Sequence, residues 1–348
     1  MSVTLTSSLP VSTAPTTAMT KPMKRWLVGS WFDLLFLANL GWPIAALAAF
    51  WFLPPAEAST SSENILSLFQ IYFLSTPHRW ITLVLVFCDS ERFWKEPVRF
   101  GGIGLGLIAL ALILVGVAGY VPNVTSSLTL LMMIDYIWNA WHFAAQHAGI
   151  SRIYGRISRP DQTAEHGEFE KMALRTLVLW VFLRFAVHMA TLSPYADGVA
   201  WITPWLPWLD PLPFIPCAIL LAREISSVQG GAWGRVLYIG SVIALYTGQL
   251  LAIRIGHVGW MTAYFFAGAV FHSVEYLAVC NWSVQKRTTG IWKYQVTRTG
   301  IAVVVFMLGV GLVNYFVNAQ SVYAWQLITL LVSYLHYAYD GIIWRAKK

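Results

Sequence analysis

Charged side chains are scarce in this sequence: they make up 11% of its 348 residues, against roughly 25% in an ordinary soluble domain. Hydrophobic residues make up 57% and aromatic residues 15%, which is more than a water-facing protein buries, whereas the interfaces of a bilayer accept Trp and Tyr readily. The composition excludes a soluble globular domain, and its apolar character also excludes a wholly disordered chain. We therefore predict an integral membrane protein that has the lipid bilayer as its partner.

Cysteine is also scarce. Cys88, Cys217 and Cys280 lie far apart in apolar stretches, so they cannot form a disulfide framework or a cysteine-based zinc site. Any metal bound by this chain needs histidine and carboxylate ligands.

Long apolar runs fill the sequence after its first 23 residues. Residues 1–23 are rich in Ser, Thr and Pro, so we predict a disordered tail there and a transmembrane helical domain over residues 24–348. Crossing about 30 Å of hydrocarbon takes around 20 helical residues, and the continuous runs favour helices over the alternating strands of a barrel. The predicted fold is all-α, a polytopic transmembrane helix bundle. About ten spans are predicted, at residues 26–53, 64–88, 101–121, 125–150, 173–193, 200–222, 235–255, 258–281, 299–318 and 321–344.

The sixth of these predicted spans differs from the others because prolines crowd its first half. Five prolines lie between residues 204 and 216, and proline interrupts a helix by removing a hydrogen-bond donor. Residues 200–216 either cross the membrane or re-enter it before a short helix.

Basic residues collect in alternate loops, which indicates the orientation. Lys and Arg precede the first predicted span and follow the second, fourth, sixth, eighth and tenth, whereas the opposite loops lack them. Because cytoplasmic loops carry the excess of Lys and Arg, both termini are predicted to be cytoplasmic. This asymmetry accounts for the net charge of +7 without nucleic acid as a partner. The same features favour a bacterial inner membrane.

Histidines on four predicted spans share one depth in the membrane. His78, His142, His272 and His336 lie 9 to 11 residues from the predicted cytoplasmic boundary of their spans, which is roughly 13–17 Å at 1.5 Å per residue. His147 reaches the same level, although its position five residues after His142 turns it partly round the helix.

Polar side chains accompany these histidines at helical spacing. Glu275 follows His272 by three residues and Asp340 follows His336 by four, so each pair shares a helix face. Gln146 and Asp135 lie on nearly the same face as His142. Since a carboxylate in hydrocarbon is costly, such acids face a partner or a cavity, and a bound cation would satisfy them.

Neutral imidazole and carboxylate are the ligands of non-haem iron, and less characteristically of other transition metals. We predict an Fe(II) site with five candidate ligands, His78, His142, His147, His272 and His336. Four further side chains are alternative ligands or orient the rings, namely Glu275, Asp340, Asp135 and Gln146.

The order of the histidine motifs resembles a known family. Pro77-His78, Trp141-His142-Phe143, Phe271-His272-Ser273 and the segment from His336 to Arg345 resemble the four histidine regions of the Brp/Blh family. That family comprises integral-membrane, iron-dependent β-carotene cleavage enzymes that make retinal. The likeness rests on about 20 residues, and this chain is longer by roughly two spans.

The resemblance implies that His78, His142, His272 and His336 are metal ligands, with Asp340 close by. This chain has Gln146 and His147 where the family carries an acid after its second motif, and Glu275 or Tyr276 where the third motif usually ends in histidine. It therefore implies a shared helix-bundle metal site more than a shared substrate.

Three functional hypotheses follow from the sequence. The first is a non-haem iron oxygenase, of dioxygenase or hydroxylase type, acting on an apolar carotenoid-like or lipid substrate. The second is a proton-coupled transporter whose relay extends through Asp135, Arg184, His188 and Arg254. The third is haem ligation by facing histidines such as His78 and His272.

Overall fold

In the residues that it describes, the computed structural model of the protein consists of helices and the turns between them, with no strand. The described residues are 26–53, 65–89, 92–118, 120, 127–159, 162–194, 196–226, 228, 233–286 and 300–344. The predicted tail, residues 1–23, lies outside them.

Ten helical segments, labelled α1 to α10, follow one another along the chain. Two of them are composite: α1 joins Ser30–Phe32, a π-helical stretch Asp33–Leu37 and Trp42–Phe52, and α2 joins Ile65–Leu68, a π-helical stretch Phe69–Ser75 and Thr76–Phe87. The others are α3 (Pro97–Ala118), α4 (Thr129–Ser158), α5 (Ala164–Thr191), α6 (Phe214–Ser226), α7 (Trp233–Ile255), α8 (Val258–Gln285), α9 (Ile301–Gln320) and α10 (Val322–Ile343).

Seven helices of the described residues are long and apolar enough to cross a membrane. They are α1, α3, α5, α7, α8, α9 and the stretch Thr203–Ser226 that ends in α6. An all-α membrane bundle is therefore supported, while the predicted count of ten spans and the placement of the termini stay predictions. The three segments outside this group, α2, α4 and α10, carry His78, His142 and His336, and their polar side chains lower their hydropathy.

The predicted sixth span contains several short elements. Turns of helix at Ala196–Val199, Thr203–Trp205 and Leu206–Leu209 precede α6, which has 13 residues. At 1.5 Å per residue α6 is about 20 Å long, shorter than the hydrocarbon core. The proline-rich half thus forms short turns before a short helix, as the spacing of its prolines led us to expect.

The π-helical stretch of α2 positions the first histidine. Pro77 stands in the first turn of Thr76–Phe87, directly after Phe69–Ser75, and it has no N–H to continue the hydrogen-bond ladder of the preceding turn. The ladder widens to π geometry there, as helices often do at functional sites. His78 follows at once and is buried.

The helices divide into a central group and a peripheral group. In the most apolar windows of α7 and α8, 61% and 67% of residues are buried inside the protein, against 17% in α3 and 11% in α9. α8 packs against α1, α2 and α7, whereas α10 packs against α2, α3, α4 and α9. α4 packs most extensively on α5, and its backbone does not pack closely on that of α8. Side chains fill the space between α4 and α8, and the candidate site lies there.

Candidate metal centre

Four helices deliver one imidazole each to a common point, which we call the histidine cluster: His78 from α2, His142 from α4, His272 from α8 and His336 from α10. The four side chains are at most 5% exposed. Neighbouring rings meet edge to face, with centroids 4.5 Å apart for His142 and His336 and 5.1 Å apart for His78 and His336. The structure therefore brings together the four histidines that the sequence placed at one depth.

The ring nitrogens and a carboxylate oxygen of Asp340 form two overlapping groups that share His142, and each group is close enough to hold one ion. The Nε2 atoms of His142 and His336 are 3.0 Å apart, which is about the separation of two ligands at a right angle on a metal with bonds of about 2.1 Å. One ligand atom from each of His78, His142 and His272 lies within 4.8 Å of the others, and the same holds for His142, His336 and Asp340.

Hydroxyl groups contact the Nδ1 atoms of two of the rings, His336 and His78. The Thr82 Oγ1 lies 2.6 Å from Nδ1 of His336 and donates to Asp340 Oδ1 at 3.3 Å, so it can accept the Nδ1–H of His336. The Ser273 Oγ lies 3.3 Å from Nδ1 of His78. With Nδ1 of His336 held in this way, its Nε2 faces Nε2 of His142, and outer partners usually orient a ligating imidazole by holding its other nitrogen.

His272 packs against His78 and His142, and its ring has no polar partner among the described residues. Both of its ring nitrogens are buried without a hydrogen bond, and the ring of Phe143 stacks on it with centroids 3.7 Å apart. A buried polar group without a partner costs about 1–3 kcal/mol. A metal ion bound by His272 would remove that cost, so the donor set and its unsatisfied nitrogens fit a metal of the kind that imidazole favours.

Asp340 lies at the edge of the histidine cluster. Its carboxylate accepts hydrogen bonds from the Tyr276 hydroxyl and, at 3.2 Å, from Nε1 of Trp344. Its Oδ2 lies 3.8 Å from Nδ1 of His142. Asp340 is thus placed either to orient His142 or to bind an ion beside it.

A second polar group, the His147 network, contains three residues that the sequence placed at the metal. His147 Nδ1 lies 3.0 Å from Glu275 Oε2, and its Nε2 lies 2.9 Å from the Tyr246 hydroxyl. Glu275 also accepts from the Tyr238 hydroxyl and from Gln146. Both nitrogens of His147 are therefore engaged away from the cluster, and the structure places His147, Glu275 and Gln146 in a neighbouring network.

Gln146 connects this network to the histidine cluster, because its amide also donates to the backbone oxygen of His272 at 3.0 Å. Asp135 lies on the other side of the cluster. The Tyr337 hydroxyl donates to Asp135 at 3.1 Å and to Asn139 at 3.0 Å, and the Tyr337 ring packs on His142 with centroids 5.0 Å apart. Asp135 therefore holds a residue that supports His142.

Sequence reasoning did not single out Thr82 or Ser273 as site residues, and it named Tyr276 only as one of two residues in the place of a histidine of the Brp/Blh family. A signal for two of them was present, because Thr82 follows His78 by four residues and Tyr276 follows His272 by four, so each pair shares a helix face. The Thr82 hydroxyl contacts His336 and the Tyr276 hydroxyl contacts Asp340, both on another helix, and no spacing within one helix reveals such a contact.

The structure shows the surroundings of Arg184, named for the transporter hypothesis, and of the pair His78 and His272, named for the haem hypothesis. Arg184 pairs with Asp210, at 2.7 Å from Nε to Oδ1 and 3.3 Å from Nη2 to Oδ2. The rings of His78 and His272 contact each other directly, with centroids 5.1 Å apart. No porphyrin fits between rings in contact, so this pair does not suit haem.

A cavity of about 860 Å³ adjoins the histidine cluster. His142, Tyr276, Tyr337 and Asp340 line the end that reaches the cluster. Its size falls within the roughly 300–1,000 Å³ of small-molecule sites, so a substrate-sized molecule can reach the edge of the cluster.

Comparison with known proteins adds no assignment: no family model, no curated protein and no solved structure matches this chain.

Proposed function

We propose that this chain is an integral-membrane non-haem iron oxygenase that acts on an apolar, carotenoid-like or lipid, substrate. One observation carries the proposal: four buried imidazoles from four helices converge, with unsatisfied nitrogens on His272 and an adjoining cavity. His78, His142, His272 and His336 would hold the iron, with Asp340 beside them. This set agrees with the resemblance to the Brp/Blh family.

A bound iron supplies the redox chemistry that joins dioxygen to a C=C or C–H bond. The chain contributes by positioning the ligands and the substrate and by excluding water. Thr82 and Ser273 orient two rings, the apolar surroundings keep water from the site, and the cavity directs a carbon of the substrate toward His142 and Asp340.

Metal analysis tests the proposal. Full-length protein purified in mild detergent is expected to contain stoichiometric iron, and His142→Ala and His336→Ala are expected to lose it. His257→Asn is the matched control, since His257 is an exposed helix cap and Asn also caps. Protein without stoichiometric transition metal, or with the same metal content in all variants, would contradict the proposal.

The membrane arrangement belongs to the same proposal. In the proposed arrangement the chain crosses a bacterial inner membrane ten times, with both termini in the cytoplasm. The distribution of Lys and Arg supports this orientation. A reagent added outside intact cells is expected to label single cysteines introduced at Asp197 and at Ser321. It is not expected to label a cysteine introduced at Lys171. Labelling of Lys171→Cys from outside would contradict the proposed orientation.

A proton-coupled transporter is the alternative function. The observation in its favour is that buried polar groups continue on both sides of the histidine cluster, through the His147 network on one side and Asp135 on the other. Reconstituted vesicles with a substrate flux that collapses with the proton gradient, from protein that lacks metal, would favour it over the oxygenase.

A further inference from the structure

The cavity beside the histidine cluster has two chemically different ends. It lies among α3, α4, α8 and α10. The end next to the histidine cluster, which we call the inner end, is bounded by His142 and Asp340. The opposite end, which we call the outer end, carries Arg156 and Lys286. Between the two ends the wall is mostly apolar, and it holds four tryptophans, Trp138, Trp141, Trp282 and Trp344.

The long wall of the cavity is one face of α4. Its lining residues recur three or four positions apart, at Trp138, His142, Ala145, Gly149, Ile153 and Arg156, which is the spacing of one face of a helix. The face thus runs continuously from the histidine cluster to the outer end.

Small residues keep this route open. A Cβ atom added at Gly149 on α4, or at Gly341 on α10, would meet no other atom within 4 Å. Both glycines line the cavity and both are exposed. A larger side chain at either position would project into free space and narrow the route.

The length of the cavity suits a lipid chain. Arg156 lies 14 residues beyond His142, which is about 21 Å along the helix axis. One leaflet of a bilayer, with its head-group region included, is about 20–22 Å thick. A molecule with its polar end at Arg156 and its chain in the cavity therefore reaches the histidine cluster with the length of one leaflet.

The outer end of the cavity carries two cationic side chains, Arg156 and Lys286. Its lining contains one acid, Asp340, which lies at the inner end and is held there by Tyr276 and Trp344. On the same helix Arg152 faces Glu170 and Arg159 faces Glu224, whereas Arg156 is paired with no carboxylate of the described residues. Lys286 lies against Trp282, with Nζ 3.3 Å from the ring centroid.

We infer that the cavity binds a long-chain amphiphile with one anionic terminal group, which lies between Arg156 and Lys286 while the chain extends toward His142 and Asp340. The inference rests on the proposed function only in that the carbons nearest the histidine cluster are those that would be oxidised. The anion is either a carboxylate or a phosphate monoester, since arginine and lysine bind both.

Equilibrium binding to full-length protein in mild detergent tests this inference. Three molecules of equal chain length are compared: a long-chain fatty acid, the corresponding alcohol and a lysophosphatidic acid. We expect at least one anionic molecule to bind five- to tenfold more tightly than the alcohol, about the effect of one or two basic residues near a membrane surface. The better anion identifies the terminal group.

Two variants separate the charge from the cavity. Arg156→Gln with Lys286→Gln is expected to remove the preference for the anion and to leave alcohol binding unchanged, while Arg254→Gln, at the far end of α7, preserves the preference. Gly149→Leu is expected to weaken binding of all three molecules at least tenfold. Gly309→Leu is the matched control, because Gly309 is also exposed, also has free space around its Cβ position, and lies on α9 outside the cavity.

Equal binding of alcohol and anions, no binding at all, or unchanged binding in Gly149→Leu would overturn the inference. Measuring each preparation before and after treatment with a chelator keeps it separate from the proposed function. If protein that contains metal shows no preference for the anion, only the inference about the amphiphile is contradicted. If protein that prefers the anion contains no metal, only the proposed oxygenase function is contradicted.

Discussion

Two of the buried polar clusters in the part of the bundle that the structure describes are built in opposite ways. In the first, which we call the arginine cluster, Arg235 lies 2.9 Å from Glu170 and 3.0 Å from Glu224, and all three side chains are at most 1% exposed. Arg159 and His166 approach Glu224 as well, at 3.3 Å and 3.0 Å. Each buried carboxylate thus faces a cation that the chain itself supplies.

The histidine cluster has no such internal balance. Its imidazoles face one another, the two Nε2 atoms of His142 and His336 are 3.0 Å apart, and neither nitrogen of His272 has a partner. The comparison teaches that burial alone does not distinguish structure from function in a membrane bundle. In the arginine cluster the chain itself neutralises each buried carboxylate, whereas in the histidine cluster imidazoles face one another and present nitrogens that a ligand can bind.

The largest effect is expected in the arginine cluster. Arg235→Leu leaves Glu170 and Glu224 buried with fewer cations, and breaking a buried ion pair in this way costs about 3–5 kcal/mol. Thermal unfolding in detergent should show this loss, with metal content per folded protein unchanged. Arg99→Leu is the control, because its pair with Glu96 is exposed and is worth less than about 1 kcal/mol. Equal stability of the two variants would remove the distinction between the clusters.

In the histidine cluster the expected loss is of metal rather than of stability. His272→Leu replaces an imidazole that has no hydrogen bond with an apolar side chain, so chelator-treated protein should unfold at nearly the wild-type temperature. Its affinity for iron should fall more than about 100-fold, because loss of an outer partner alone costs about 10–100-fold. Titration of metal-depleted protein measures the affinity, and wild-type affinity in this variant would exclude His272 as a ligand.

A smaller effect on the metal is expected behind the ligands. Thr82→Val keeps the shape of the side chain but removes the hydroxyl beside Nδ1 of His336, so iron affinity should fall about 10-fold or more. Thr329→Val makes the same change on α10, at a hydroxyl that is buried without a hydrogen bond, and should leave the affinity as it is. If both valine variants bind iron like the wild type, Thr82 does not orient the ring.

The smallest effect concerns the His147 network. Tyr246→Phe removes the hydroxyl 2.9 Å from His147 Nε2, which should lower the free energy of unfolding by about 1 kcal/mol without loss of iron. Tyr323→Phe, at an exposed hydroxyl, should be neutral. Loss of iron in Tyr246→Phe would show that His147 belongs functionally to the histidine cluster, as the sequence first indicated.

The helices were largely predictable, but their lengths were not. The predicted spans 125–150 and 173–193 correspond to α4 and α5, which run over Thr129–Ser158 and Ala164–Thr191. Hydropathy locates only the part of a helix that is apolar enough for lipid, whereas the hydrogen-bonded helix continues into the polar loop region. The ends of α4 and α5 therefore carry Arg159, Glu170 and their partners, which no apolar run announces.

The site was predictable in depth but not in direction. The sequence prediction put His147 at the level of His142, although five residues at 1.5 Å per residue separate the two by about 7.5 Å along the helix axis. Five residues also turn a helix by about 140° beyond one full turn, at 3.6 residues per turn, so the two rings point to different neighbours. His147 therefore meets Tyr246 and Glu275, while His142 meets His336.

The sequence by itself determined that this is a helical membrane protein and that four histidines share a depth, because both properties follow from composition and from position along single helices. Only the tertiary structure decided which ring nitrogens face one another, that Thr82 and Tyr276 support the histidine cluster, and that a cavity lies beside it. The physical reason is that these features depend on the distances and rotations between helices, which are set by the packing of side chains across the whole bundle.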